Sequence, residues 1–401
     1  MLARRMVLVA CVLLQPVSCV VEFKAADPIA PPAGKERGPC RPAASCNAGL
    51  ICLSNVCVRQ VASAPDDAAL GDGSTTPRPD VHAKCPGGCV ETLAGAGKGQ
   101  ADGPALQASF SFPAAAAVDS AGAIIIADRL NHRLRLIKGG IVSTLAGGAK
   151  GFTDGPSHLA RFNHPSGVAV DGKRVYVADQ ENHAIRLIED GVVRTIAGSG
   201  YGFADGAAKD AMFRSPAGLA LGSAGELYIA DVGNHRVRRL HGQAVITWAG
   251  SGVPGHGDGK AGSSRFNYPH GLAAASNGAI FVVEQANHRL RRISGGQVET
   301  LVGAAGQGFV DGAGEHARLS APTGVAIGPL GEVYIADQGN HALRVFAAGK
   351  LSTVAGNGSA GAADGPRSIA RFDSPIDVAS NHADALIIVD QENHRIRRVT
   401  P

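Results

Sequence analysis

No cysteine occurs after position 89 of the 401 residues, so everything beyond it is held by packing and hydrogen bonds alone. Only 18% of the residues are charged while 45% are hydrophobic, a balance that excludes a disordered chain. Long apolar runs are missing except for one near the N-terminus, which excludes a bundle of membrane helices. The net charge of +4 falls to about +2 once a leader carrying Arg4 and Arg5 is removed, too little to draw nucleic acid. Catalytic signatures are absent as well: there is no Gly-x-Ser-x-Gly elbow, no His-Glu-x-x-His pair and no phosphate-cradling loop opening a helix. What the chain does have is 54 glycines and 22 prolines, distributed in a repeating order.

An Asn-His pair recurs at Asn131, Asn182, Asn234, Asn287, Asn340 and Asn393, at steps of 51 to 53 residues. Upstream of each pair a short apolar strand ends in an acid: Asp128, Asp179, Asp231, Glu284, Asp337 and Asp390. Before that comes a Pro followed by a small-residue strand, and after the pair a strand alternates Arg with aliphatic residues. A fourth strand such as VRTIAG leads into a Gly-rich loop with an Asp-Gly pair at Asp102, Asp154, Asp205, Asp258, Asp311 and Asp364. Period-2 alternation bounded by Gly and Pro reads as four strands and one long loop per unit. Units of this length cannot bury both faces alone, and they stack as propeller blades. Residues 90 to 95, VETLAG, match a fourth strand with nothing before them, and the chain stops after a third strand. The N-terminal strand is therefore expected to complete the last blade and remove an open sheet edge.

The stretches PSGVAVDGKRVYVADQENHAIRLI (165 to 188) and PAGLALGSAGELYIADVGNHRVRRL (216 to 240) resemble the NHL repeat. The resemblance covers about three quarters of the chain and implies a six-bladed β-propeller. It says little about function, since such rings serve as binding surfaces in some settings and lyase-type enzymes in others. The chain departs from the pattern at Ala115 and Asp377, where the Pro-x-Gly glycine is replaced, and at Glu284, where the acid is lengthened.

Residues 1 to 19 read as an export signal: a basic MLARRM is followed by an apolar stretch too short to span a bilayer. Cys19 follows Pro-Val-Ser, similar to the lipidation box of bacterial lipoproteins, and is the expected lipid attachment point. This places the protein in the cell envelope, anchored to the outer membrane or facing the periplasm. Residues 20 to 39 form a tether, 40 to 57 a disulfide-rich module, and 58 to 84 a linker, with the propeller occupying 85 to 401. In an exported chain Cys40, Cys46, Cys52 and Cys57 fit disulfides better than zinc, because paired Cys-x-x-Cys knuckles are missing; three pairings remain open. Cys85 and Cys89 flank Pro-Gly-Gly and are expected to staple the entry to the ring.

The six repeated histidines stand one per blade and cannot converge on one ion, so the strand-two acid, the Asn and the His are expected to bond one another within each blade. Each His is followed three positions later by Arg, from Arg135 to Arg397, which suggests six internal ion pairs. The Asp-Gly loops offer one carboxylate each, short of the six oxygens calcium needs, and Pro after Gly fits a short helix such as GPSHLARF that plugs Phe162 onto the blade. Trp248, in a fourth strand, reads as packing. A site must break the sixfold pattern, and the loops feeding the axis do so with His164, His270, Asp373 and Asp377. These four form the candidate pocket, with no catalytic residue, cofactor or metal assigned. The inner strands are small and apolar, which favours a non-catalytic monomer that binds a protein or glycan through its loops. The alternative is a hydrolase or lyase of the lactonase or strictosidine-synthase-like kind with a central-channel site.

Overall fold

Alternating strands separated by glycine turns close into a ring of six sheets. The computed structural model describes residues 50–53, 56–59, 85, 88–380 and 385–400; the expected signal, the tether, Cys19, Cys40 and Cys46 lie outside the described residues. The chain divides into two units, Met1–Thr76 and Pro77–Pro401. In the first, Leu50–Leu53 pairs antiparallel with Val56–Arg59, and Cys52 stands opposite Cys57 in the register. In the second, a Cys85–Cys89 disulfide precedes the ring.

Each blade contains five strands, one more than the sequence predicts. In the second blade the order from the axis outward is Pro165–Asp171, Arg174–Asp179, Ala184–Glu189, Val192–Ala197 and the two-residue Gly155–Pro156. The outermost piece precedes the other four in sequence, so every connection crosses from one blade to the far edge of the next. It also replaces the expected helix. Pro156 lacks an N–H and is tolerated on an edge strand, and its carbonyl accepts from the amides of Leu159 and Ala160 in a single turn. Phe162 then inserts fully buried, as expected.

The last blade is composite. Cys89–Ala94 pairs with Arg395–Val399, and the sheet continues through Leu386–Asp390 to Pro375–Ser380. The core is distributed accordingly: six apolar clusters lie one at each junction between neighbouring blades, including the junction of the last with the first. The glycine of the Pro-x-Gly step is dictated by this closeness. A Cβ on Gly167 would lie 2.0 Å from the Ala217 carbonyl oxygen, and one on Gly218 would lie 2.2 Å from that of His270. At the two exceptions the ring finds another solution, since Asp377 Oδ2 accepts from the Ala116 amide 3.0 Å away and bridges the last blade to the first.

Candidate functional site

The repeated polar residues are consumed by the scaffold. Arg238, with no exposure, donates to Asp231 at 2.7 Å and to the loop Asp205 at 2.6 Å, and its guanidinium lies 5.2 Å from the buried Phe213 ring. Two further bonds reach the carbonyls of Met212 and Ala204. Asp231 also accepts from Asn234 at 2.9 Å and from the Arg214 amide at 2.8 Å. The same pairing of Arg with strand-two acid and loop Asp recurs in the other five blades, with Glu284 standing in for Asp in the fourth. A bulge between the third and fourth strands falls beside this Arg in all six blades, its extra residue on the fourth strand.

The histidines behave differently from expectation. Each caps a one-turn 3-10 segment or tight turn with φ between 50° and 56°, a left-handed conformation that turns the ring away from its own blade. Its Nδ1 accepts a backbone amide of the next blade: His132 from His164, His183 from Ser215, His235 from Tyr268, His288 from Ala321, His341 from Ser374 and His394 from Phe112. The bonds run between blades and close the circle, which corrects the expectation for the histidines, while the strand-two acid and the Asn do bond within each blade as expected. Burial lowers the imidazole pKa at His132, His235, His288 and His394.

The four candidate pocket residues separate into two places. His270 and Asp377 line an axial cavity of about 40 Å³, together with Ser166, Gly218 and Thr323. A space of that size holds about three waters. His270 Nδ1 donates to the Thr323 carbonyl at 3.1 Å, and burial lowers its pKa, as does the Arg129 charge. Burial pushes the Asp377 carboxyl up to about 7 against the pull of the Ala116 and Val378 amides. Thr323 Oγ1 is buried without a partner. His164 instead stacks on His132 with ring centroids 4.9 Å apart, and Asp373 lies 3.5 Å from His341 Nδ1, both on the annulus of the Asn-His face. The reason is position: His164 precedes its proline at positive φ, whereas His270 follows its proline in the inner strand. Among the described residues no three His, Cys, Asp or Glu side chains come together as a metal-binding group.

A ring not anticipated from the sequence surrounds the axial mouth. The residue after each strand-two acid is Arg129, Gln180, Val232, Gln285, Gln338 or Gln391. Arg129 donates to Gln180 Oε1 at 3.1 Å, Gln285 to Gln338 Oε1 at 3.3 Å, and Gln391 to the Pro113 carbonyl at 3.3 Å, each bond crossing to the next blade. The signal was present in the six-unit pattern as a cation at a position otherwise given mostly to Gln.

This architecture is that of a closed six-bladed propeller. The NHL repeat matches residues 162–186, 213–240, 266–293 and 319–346, so the chain carries NHL repeats and folds as their propeller. NHL repeat-containing protein 2 of Gallus gallus is 32% identical over 336 residues, 71% of this chain and 46% of that protein. The chain thus spans about half the length of the curated relatives it matches. Among solved structures, a Bacteroides thetaiotaomicron protein of unknown function superimposes with a TM-score of 0.63 at 22% identity, covering 78% of this chain and 76% of that one. An auxiliary nutrient binding protein from the same organism does so with a TM-score of 0.60 at 18% identity and the same coverage. At these identities the likeness establishes the fold.

Proposed function

We propose that the protein is a non-catalytic, exported binding monomer of the cell envelope, lipid-anchored through Cys19, that holds a protein or glycan across the Asn-His face of the ring. The observation that carries this reading is the contrast between an axial space of about 40 Å³ and a face around it rich in side chains outside the sixfold set. A sugar ring or peptide cannot enter a space sized for about three waters, but it can lie on the face. There Tyr201 and Tyr268 are 57% and 47% exposed, each set edge-on against a ring histidine at 5.2 and 5.1 Å. Half-exposed aromatic rings of this kind supply contact area at little entropic cost. Support for export comes from the N-terminal sequence; among the described residues no helix is long and apolar enough to cross a membrane. Immobilised glycan and peptide panels probed with wild type and a Tyr201→Ala, Tyr268→Ala double variant test the reading. Loss of the bound members in the variant is expected; undiminished binding would remove the face from consideration.

One observation favours the second reading, a hydrolase or lyase: His270 and Asp377 share the cavity, and a carboxyl at about 7 is poised for proton transfer near neutrality. The Ala116 bond gives Asp377 a structural use at the seam, which accounts for it without catalysis.

A further inference from the structure

Arg129 differs from the six buried arginines in having no carboxylate partner. It is half-buried, its Nε is buried without a hydrogen-bond acceptor, and its one side-chain bond goes to a neutral amide oxygen. Glu181 is close enough to act on it electrostatically yet forms no ion pair with it. Its charge also acts on His270, which belongs to the fourth blade, the one diametrically opposite. Arg129 thus faces the mouth side of the ring, bonded to the neighbouring mouth residue Gln180. Beside it the bond to Oε1 leaves the Gln180 Nε2 amide to donate elsewhere, while none of the six mouth positions is acidic. A half-buried cation without a carboxylate partner, beside an amide donor, favours an anionic oxygen ligand, and a guanidinium binds carboxylate through charge-assisted hydrogen bonds.

The surroundings extend the same chemistry. Lys150 acts on the stacked His132 and His164 beside the mouth and Arg133 on His132, neither cation forming an ion pair among the described residues, while Glu181 is the acid nearby that acts on His164. Arg236 and Arg289 side chains, farther round, bond only neutral oxygens. Tyr268 stands on the same annulus, half-exposed and set against His235, and offers a ring on which a sugar packs, whereas the Tyr201 ring already carries the Arg214 guanidinium 5.2 Å from its centroid.

We propose that the axial mouth on the Asn-His face binds a carboxylate-bearing sugar, with Arg129 holding the carboxylate, Gln180 donating to a neighbouring oxygen, and Tyr268 packing against a sugar ring. The assignment rests on the binding reading above and narrows its ligand to an acidic glycan.

Calorimetric titration of the full chain with oligogalacturonate, a neutral galactose oligomer of equal length, poly-glutamate and inorganic phosphate tests it. Oligogalacturonate is expected to bind at least about tenfold tighter than the other three. Arg129→Gln, which installs the residue four other blades already carry, is expected to remove about tenfold or more of that affinity with an unchanged melt, and Arg129→Lys to keep part of it. Equal binding of the neutral oligomer, unaffected by Arg129→Gln, would overturn the acidic assignment and leave the glycan-binding reading standing. Tighter binding of poly-glutamate or phosphate would overturn the sugar. Cleavage of the oligomer would instead sink the non-catalytic reading on which the proposal rests.

Discussion

Arg238 and Arg129 are the same side chain in two regions of one ring, and their surroundings could hardly differ more. Arg238 is enclosed by two carboxylates, two carbonyls and a phenyl ring. Arg129 has one amide oxygen and an orphaned Nε. The first belongs to a set of six, each paired with two carboxylates, and its chemistry is spent on holding a blade to its own loop. The second has no counterpart, and its donors remain available. Recurrence thus marks the scaffold: what every blade shares is bound internally, whereas a residue that one blade alone carries either serves the seam, as Asp377 does, or is left for a task.

Predictions follow from pressing on that separation. Deleting Cys89–Ala94 removes the fourth strand of the last blade together with Val90 and Ala94 from the two junction clusters that flank it, and is expected to lower the melting temperature by well over about 10 °C or to yield aggregated protein. A melt within a few degrees of wild type would mean that the ring is not closed by this strand. Arg238→Ala leaves Asp231 buried and uncompensated, and is expected to cost roughly 3 to 5 kcal/mol in chemical denaturation.

Asp377 provides a pH-dependent case. Its folded pKa is raised, so the native state keeps a proton that the unfolded chain releases; stability from this group declines as pH rises from about 4 through 7 and is level above. Asp377→Asn is expected to abolish that decline and to gain up to about 4 kcal/mol relative to wild type above pH 7, measured by denaturation across pH. The ring histidines carry the opposite sign. With folded pKa values lowered, protonation is resisted in the native state, and stability is lost as pH falls below about 6.5. His288→Ala, removing the 2.9 Å bond to the Ala321 amide, is expected to cost about 1 kcal/mol at pH 7 and to shrink that acid loss.

The fold was legible because its signals are multiplied by six. The Asn-His period, the strand-ending acids and the orphan VETLAG strand each pointed to a closed propeller, and the ion pairs of Arg135 to Arg397 could be read from spacing alone. The outer Gly-Pro strand was not legible, since two residues carry no periodicity. Nor was the reach of the histidines into the next blade, which depends on a left-handed φ that an Asn-His dipeptide does not announce. The candidate site was legible in part. A single step across a proline sends His164 to the annulus and His270 to the axis, so grouping them by loop mixed two surfaces. Arg129 was not legible, because a single cation at a position otherwise given mostly to Gln carries no repeat of its own.

The most direct test applies one replacement to both arginines. Thermal melts of Arg238→Gln and Arg129→Gln, compared with wild type, should show a fall of roughly 6 to 20 °C for the first and a change within about 2 °C for the second. Equal shifts for the two variants would contradict the account, because recurrence would then say nothing about which residues hold the ring together.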